Sequence, residues 1–250
     1  MINFNEPLIR KFLQSSQEIF LFSDFDGTLV DFAKTPDEVI VSEDLLSDVS
    51  TLCSNTEFIL VTGRSIASVR RNLHIPTLRV SGCHGVEHSD GTVEKNAVAF
   101  RSRLLTVQYA LENALSEYTG VWIEKKPYSF AIHYREAPDC AGEISRVVDA
   151  SLRGYEGILF VCEGTLVIEI CISGCDKGGA IDYWLTKHDT STVVPFYVGD
   201  DVTDEYGFRA VNKRGGVSIR IGRSDDSCAD YYFDDIQHYL SFIKNLLHQD

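Results

Sequence analysis

The sequence has little positive charge, no long apolar run and no CxxC cysteine pair. Lys and Arg number 23 against 37 Asp and Glu, and the net charge of −14 argues against nucleic acid or an anionic membrane surface as partner. No apolar stretch approaches the ~20 residues that cross a bilayer. The N-terminus lacks a secretion-signal pattern, so we expect a cytoplasmic protein. The seven cysteines form no CxxC pair, which favours reduced thiols over a zinc site.

What is present is an alternation of strand and helix patterns. The apolar runs "IFLFSDF" and "EFILVTG" read as buried strands, and such strands joined by helices predict a parallel sheet covered on both faces, an α/β fold. We predict strands over 19–25, 57–63, 78–85, 193–199 and 217–222, and helices over 42–54, 65–73, 176–187, 203–210 and 235–248. Ser42 is the expected N-cap of the first of these helices.

The middle of the chain has a different pattern. After a predicted hairpin over 86–96, a helix from about Ser102 to Tyr118 leads into two strands, a further helix over 142–153 and two more strands. This αββαββ order is typical of a small α+β module with an antiparallel sheet, inserted into the first domain. We therefore predict a core of residues 1–100 plus 176–250 and an inserted domain of residues 101–175.

Polar residues follow the predicted parallel strands where each strand ends, and the carboxyl ends of such strands form the usual ligand-binding edge. The residues at this edge are Asp24 and Asp26, then Thr62, Gly63 and Arg64, then Lys177 at a helix start, and finally Asp200, Asp201 and Asp204. With each specified residue at roughly 1 in 20, a DxDGT string arises by chance on the order of 10⁻³ times in a chain of this length.

Two aspartates one residue apart repel each other unless a cation or a reaction accounts for them. Phosphoryl transfer through an aspartyl intermediate needs a carboxylate nucleophile and an acid–base group, roles that suit Asp24 and Asp26. Thr62 and Lys177 would bind the transferring phosphate.

The same cluster offers the hard oxygen ligands that Mg²⁺ prefers. We predict that the Asp24 carboxylate, the Asp26 carbonyl and Asp200 bind the ion. Asp201 and Asp204 would hold its waters or lie directly behind the ligands.

The motifs "DFDGTL", "VTGR", "GCHGVE", "DKGGAI" and "GDDVTDE", between about residues 20 and 222, resemble in order those of the trehalose-6-phosphate phosphatases, a family of the haloacid dehalogenase superfamily. The resemblance implies a Rossmann-like parallel-sheet core and an αββαββ cap that closes over the sugar. It also implies Mg²⁺-dependent phosphatase activity, with the roles assigned above to Asp24, Asp26, Thr62, Lys177 and Asp200.

The same resemblance places substrate-binding residues in both domains. In the cap it aligns Glu124, Lys126, Arg135 and Glu169 with sugar- or cap-contacting positions. In the core we expect Gly63 and Arg64 to lie near the substrate, and His84 either to contact the sugar or to hold the junction between core and cap.

Two cap positions depart from the family pattern, which usually has Lys at Thr165 and Arg-Pro at Cys171 and Ile172. Trehalose 6-phosphate is the expected substrate, but the departures leave open another sugar phosphate, such as a glucosylglycerol or sucrose phosphate. A phosphomutase or a non-catalytic sugar-phosphate sensor is a further alternative. We expect a monomer that works alongside a sugar-phosphate synthase, with no nucleic acid or membrane partner.

Overall fold

The computed structural model describes residues 1–5, 7–9, 18–33, 38–164, 166–188 and 193–247. Two compact units are present. The first consists of Met1–Thr92 and Asp176–Asp250, and the second of Val93–Cys175. We refer to them as the first unit and the second unit, and describe each by itself.

The first unit contains a mostly parallel sheet with helices packed on it. Its strands are β1 (Ile2–Asn3), β2 (Glu18–Ser23), β3 (Glu57–Val61), β4 (Arg79–Gly82), β5 (Glu87–His88), β10 (Val193–Gly199), β11 (Val217–Ile221) and β12 (Tyr231–Phe233). Its helices are α1 (Glu43–Asn55), α2 (Ile66–Asn72), α5 (Lys177–Leu185), α6 (Asp204–Lys213) and α7 (Ile236–Leu247).

The sheet order is β1-β12-β11-β10-β2-β3-β4-β5, and every neighbouring pair is parallel except β4 with β5. The predicted α/β class is therefore confirmed. The order reverses around β2, since the chain moves from β2 through β3 to β4 on one side and returns through β10, β11 and β12 on the other. Such a reversal opens a crevice beyond the carboxyl ends of the central strands.

Apolar side chains cover both faces of this sheet, as the continuous apolar strands predict. One cluster includes Leu21, Leu60 and Val198 with side chains of α1 and α7. The other includes Phe20 and Phe22 with side chains of α5 and α6. Successive side chains of β2 thus point to opposite buried faces, which is why the strand has no polar alternation.

Side-chain caps set where the helices of the first unit begin. The predicted cap Ser42 accepts a hydrogen bond at its Oγ from Leu45 N at 3.2 Å. Asp176 caps α5 through its Oδ1, which accepts from Gly179 N at 2.8 Å. Because an N-cap precedes the first helical residue, Lys177 opens α5.

The second unit has the αββαββ order that the sequence predicted: α3 (Lys95–Leu115), β6 (Trp122–Lys125), β7 (Ser129–His133), α4 (Ala141–Leu152), β8 (Leu159–Gly164) and β9 (Val167–Ile172). Its four strands form an antiparallel sheet in the order β6-β7-β9-β8. Ile168 and Ile170 of β9 are buried, as are Ile144 and Val148 of α4.

The predicted bounds of α3 were wrong, because the helix begins at Lys95 rather than about Ser102 and ends at Leu115. Its buried apolar residues Ala97, Leu104, Val107, Leu111 and Leu115 recur at helical spacing. The buried face starts at Ala97, and the run Arg101-Ser102-Arg103 lies on an exposed stretch within it. The predicted hairpin is divided accordingly, since Glu87 and His88 pair with β4 while its last residues begin the helix.

Candidate active site

Three adjacent strands, β10, β2 and β3, end at the same edge of the sheet in the first unit. The register pairs Val198 of β10 with Ser23 of β2, and Ser23 with Leu60 of β3. Asp200, Asp24 and Thr62 follow these strands, so their side chains start from neighbouring positions. The backbone N–H of Asp24 donates to the Val198 carbonyl at 2.9 Å, which fixes the first residue beyond β2.

Asp24 and Lys177 form a buried ion pair at this edge. Lys177 Nζ lies 3.1 Å from Asp24 Oδ1, and the side chains are only 2% and 7% exposed. Burial raises the pKa of Asp24 well above its usual value, Lys177 opposes the rise, and the nearby carboxylates add to it. Burial alone would lower the pKa of Lys177, but Asp204 and Asp24 raise it, so Lys177 is a cation at neutral pH.

Asp200 completes an acidic group beside this pair. Asp24, Asp200 and Asp204 each offer a carboxylate oxygen, and these oxygens all lie within 4.8 Å of one another. Thr28 Oγ1 donates to Asp200 Oδ1 at 2.8 Å. Burial, followed by the charge of Asp204, raises the pKa of Asp200 to about 7. Three carboxylates share one nearby ammonium group, that of Lys177, so negative charge is in excess. Carboxylate oxygens are the hard donors that a divalent cation of the Mg²⁺ type takes.

Asp204 is the fully buried member of this group, and its carboxylate accepts four hydrogen bonds. Oδ1 accepts from Lys177 Nζ at 2.6 Å and from the Tyr197 hydroxyl. Oδ2 accepts from the backbone N–H groups of Asp200 and Asp201, each at 2.9 Å. A carboxylate has about four lone-pair sites, and all of them are used here. Asp204 thus holds both the Lys177 side chain and the backbone of the acidic loop in place.

Asp201, predicted to hold metal waters or to lie directly behind the ligands, is not one of the three carboxylates whose oxygens lie within 4.8 Å of one another. Its Oδ1 accepts from the backbone N–H of Val202, and its carbonyl accepts from Arg220 Nη1 at 3.4 Å. These contacts shape the loop between β10 and α6.

Gly27 allows the close approach of the Asp24-to-Leu29 turn to Asp200. Its φ of +78° lies in the left-handed region, which favours glycine. A Cβ at this position would lie 2.4 Å from Asp200 Oδ2 and 2.5 Å from the ring of Phe32. The glycine of the DxDGT string is therefore required both by its backbone and by the space around it.

Asp26 points its carboxylate at Arg64. Arg64 Nε donates to Asp26 Oδ2 and Nη2 donates to Oδ1, both at 2.6 Å. The sequence predicts Arg64 among the substrate-binding residues, and in the structure its guanidinium contacts Asp26, the predicted acid–base residue. Two parallel hydrogen bonds from one guanidinium to one carboxyl group are among the strong polar contacts in proteins.

The side of the candidate site next to the end of β3 is formed by Thr62, Gly63 and His84. Thr62 is buried, and its Oγ1 accepts from Arg64 N at 3.1 Å, so the hydroxyl keeps its own proton for donation. The His84 imidazole lies over Gly63, where a Cβ would be 2.7 Å from two ring atoms. His84 itself has φ of +56°, and Cys83 before it has +49°. Left-handed backbone at two successive non-glycine residues is costly and is found mostly at functional sites.

In the second unit, three of the predicted sugar-binding residues lie on one side of the sheet, namely Glu124, Lys126 and Glu169. The register places Glu124, Ala131 and Glu169 in one row across β6, β7 and β9. Glu169 Oε1 accepts from Lys126 Nζ at 2.9 Å and from Ser129 Oγ at 2.6 Å.

Glu124 also contacts His133 of the neighbouring strand. Glu124 Oε2 lies 3.1 Å from His133 Nε2. Burial alone would raise the pKa of Glu124, but the hydrogen bond from His133 and the charge of Lys126 lower it. Arg135 is exposed in the turn after β7, and Cys171 is buried in β9. Thr165 lies outside the described residues.

Thr28 and Tyr197 contact the acidic group and were missed by the sequence analysis. Thr28 stands in the DxDGT string, so its position beside Asp24 and Asp26 was an available signal. Tyr197 lies within a continuously apolar strand, where nothing in the pattern distinguishes a side chain facing the site from one facing the core.

A parallel sheet that reverses its order at a strand followed by Asp-x-Asp, with a buried lysine and an acidic loop beside it, is the arrangement that the resemblance to haloacid dehalogenase phosphatases predicts. The trehalose-phosphatase family model matches residues 22–237. The chain belongs to this family, whose members are phosphoric monoester hydrolases.

Individual relatives agree with this assignment. A probable trehalose-phosphate phosphatase of Sinorhizobium fredii is 34% identical over 204 residues, covering 81% of this chain and 77% of that protein. The trehalose-6-phosphate phosphatase of Escherichia coli is 29% identical over 204 residues, covering 80% and 76%.

Solved structures share the fold. The C-terminal domain of the Candida albicans trehalose-6-phosphate phosphatase has a TM-score of 0.85 at 21% identity and covers 100% of this chain and 98% of that one. A trehalose-6-phosphate phosphatase related protein has a TM-score of 0.76 at 23% identity, covering 92% and 95%. Within the described ranges of this chain, none of the helices combines the length and apolar character needed to cross a membrane.

Proposed function

We propose that the protein hydrolyses trehalose 6-phosphate to trehalose and phosphate through a phosphorylated Asp24. The observation that carries the proposal is the buried contact of Asp24 Oδ1 with Lys177 Nζ at 3.1 Å, beside the carboxylate of Asp200. A buried nucleophile with a fixed cation next to it meets the main need of phosphoryl transfer, which is positioning and charge stabilisation.

Two steps complete the reaction. In the first, an Asp24 carboxylate oxygen bonds to phosphorus, the bond from phosphorus to the sugar oxygen breaks, and Asp26 gives that oxygen a proton. In the second, a water oxygen bonds to phosphorus, the bond to Asp24 breaks, and Asp26 takes the water proton. The starting carboxylate of Asp24 and the proton on Asp26 are both restored.

Lys177 and Thr62 would bind the phosphoryl oxygens during both steps. Lys177 is held by Asp204 at 2.6 Å, so its position does not depend on the substrate. The buried Thr62 hydroxyl is fixed through the hydrogen bond that it accepts from Arg64 N. Donors fixed before the substrate arrives need no reorganisation in the transition state.

The residues present fit a Mg²⁺ ion, which we propose as the cofactor. Asp24 and Asp200 are the carboxylates that would hold it, together with the Asp26 carbonyl, because the oxygens of Asp204 are already used by four donors. When bound, Mg²⁺ supplies positive charge that offsets the carboxylates and the phosphate.

We propose that the second unit selects the sugar, through Glu124, Lys126 and Glu169. Their shared side of the sheet supports this, as does the ion pair between Lys126 and Glu169 at 2.9 Å, which holds charged hydrogen-bonding groups in fixed places. Carboxylates accept hydrogen bonds from hydroxyl groups, and a lysine donates them. Glu124→Gln and Glu169→Gln are expected to raise KM for the sugar phosphate more than they lower kcat.

The test is phosphate release with Mg²⁺ from trehalose 6-phosphate, sucrose phosphate, glucosylglycerol phosphate and glucose 6-phosphate. We expect kcat/KM for trehalose 6-phosphate to exceed the others by on the order of 10²-fold, or about 2.7 kcal/mol in transition-state binding. A different leading sugar would contradict the substrate and keep the chemistry. Stoichiometric phosphorylation without turnover would favour a sensor.

A further inference from the structure

The ion pair between Arg64 and Asp26 is a built feature of the first unit. Each Asp26 carboxylate oxygen accepts from a different guanidinium nitrogen at 2.6 Å. The Arg64 side chain is 8% exposed and that of Asp26 is 29% exposed. The planar fork of arginine matches a carboxylate in both position and plane, so this contact fixes the direction in which Asp26 points.

Arg64 is itself held in place by its surroundings. Its guanidinium lies over the Phe25 ring, 5.0 Å from the centroid. Its backbone N–H donates to Thr62 Oγ1 at 3.1 Å, and its carbonyl accepts from Cys83 N at 2.8 Å. The fork therefore starts from a fixed backbone between β3 and α2 and reaches the residue that follows Phe25.

We infer that Arg64 is a positioning residue that aims Asp26, and is not a ligand of the substrate phosphate. The inference rests on the proposed function, in which Asp26 gives a proton to the sugar oxygen and later takes one from water. Two hydrogen bonds use two of about four lone-pair sites of the carboxylate. The remaining sites can carry the transferred proton, and the guanidinium sets the plane in which they lie, on which proton transfer depends.

The test compares leaving groups, using kcat/KM for trehalose 6-phosphate and for 4-nitrophenyl phosphate. A sugar alkoxide needs a proton as it departs, whereas 4-nitrophenolate is stable without one. Since kcat/KM reports the steps up to departure of the leaving group, loss of the acid function should lower it for the sugar phosphate only. We expect Arg64→Lys to lower that value on the order of 10²-fold. The change with 4-nitrophenyl phosphate should stay within about threefold, because that departure does not use the acid.

The second step gives another readout, because it is the same for both substrates. With Asp26 poorly aimed, water attack slows, and 4-nitrophenol release should show a stoichiometric burst followed by a slow steady rate. In an Asp26→Asn background, Arg64→Lys should add no further loss on the sugar phosphate, since the two residues act as one unit.

A second Arg64 variant and a control variant make the conclusion independent of the behaviour of Arg64→Lys alone. Arg64→Gln, which donates from a single amide, should show the same selective loss. Arg79→Lys is the control, because Arg79 pairs with Glu57 at the opposite, amino-terminal ends of β3 and β4 and should leave both activities unchanged.

Three results would overturn the inference. Equal losses on both substrates would place Arg64 on the phosphate. Unchanged kcat/KM on both would make the fork a structural contact only, and full activity of Arg64→Lys beside a loss in Arg64→Gln would reduce its role to charge. Failure of the proposed function is distinguished from failure of this inference, because wild-type turnover of trehalose 6-phosphate decides the proposed function. If another alkyl phosphate of the panel is the substrate, the Arg64 comparison is made with that compound.

Discussion

Replacing Asp204 with asparagine tests the central hydrogen-bonding arrangement of the active site. The side chain is fully buried and accepts from four donors, two at each oxygen. Asparagine has nearly the same shape but carries one oxygen and one NH₂ group. In one orientation the NH₂ faces Lys177 and Tyr197, and in the other it faces two backbone N–H groups. In the first orientation the Lys177 ammonium, which can only donate, meets a donor, and in the second both backbone N–H groups do.

The expected destabilisation follows from that mismatch. Leaving a buried donor unsatisfied costs about 1–3 kcal/mol, and breaking a buried ion pair by removing one partner costs about 3–5 kcal/mol. Removing the Asp204 charge also relieves repulsion with Asp24 and Asp200, whose pKa values are raised first by burial and then in part by Asp204. We therefore expect a loss of about 3 kcal/mol in the free energy of unfolding, or roughly 6–12 °C in Tm for a domain of this size.

The assay is thermal and urea unfolding in EDTA, followed by circular dichroism, beside the turnover number. Asp182→Asn is the matched control, because Asp182 is exposed and its contact with Arg214 Nε at 2.9 Å is a surface ion pair worth about 0–1 kcal/mol. Turnover should fall in Asp204→Asn because Lys177 loses the carboxylate that holds it. A destabilisation no larger than that of the control would refute the reasoning.

Three further predictions follow from the same site. Asp24→Asn should lower turnover by on the order of 10⁴-fold or more without lowering metal-free stability, since burial raises the pKa of Asp24 and disfavours its charge; substantial residual turnover would remove it from the nucleophile role. Burial is the main cause that raises the pKa of Asp200 to about 7. Metal-free wild type should therefore lose stability relative to Asp200→Asn as pH rises from about 4 through 7, and added MgCl₂ should raise the Tm of wild type at pH 7. A stability difference between the two proteins that does not change with pH, or a Tm that does not shift with Mg²⁺, would count against the site. Gly27→Ala should cost more unfolding free energy than Gly91→Ala, because both have positive φ but only at Gly27 would a Cβ meet Asp200 and Phe32 within 2.6 Å; equal melting shifts would contradict this.

Much of the fold could be predicted because it depends on local patterns. Continuous apolar strands at β2, β3 and β10 predicted a sheet buried on both faces, and both clusters are there. Bounds were less predictable where a helix face is interrupted by exposed residues, as at the start of α3. The short strands β1, at the edge of the sheet, and β12 beside it were missed, because two or three residues carry too little pattern.

The sequence predicted which residues come together at the candidate site better than it predicted which of them contact one another. Strand-end position and chain order were enough to bring Asp24, Lys177 and Asp200 into one group. Sequence spacing could not tell that Arg64 would turn toward Asp26, because a residue after a strand end can face a ligand or a neighbour equally well.

The sequence by itself determined the class of protein, its order of elements and the chemical groups at the ends of the parallel strands, since strand period and motif identity are local properties of the chain. Only the tertiary structure decided which of five acidic side chains face one another, which is held by four donors and which is aimed by an arginine. The physical reason is that the burial and the partners of a carboxylate come from elements far apart in sequence, as in the contact of Asp204 with Lys177, 27 positions away.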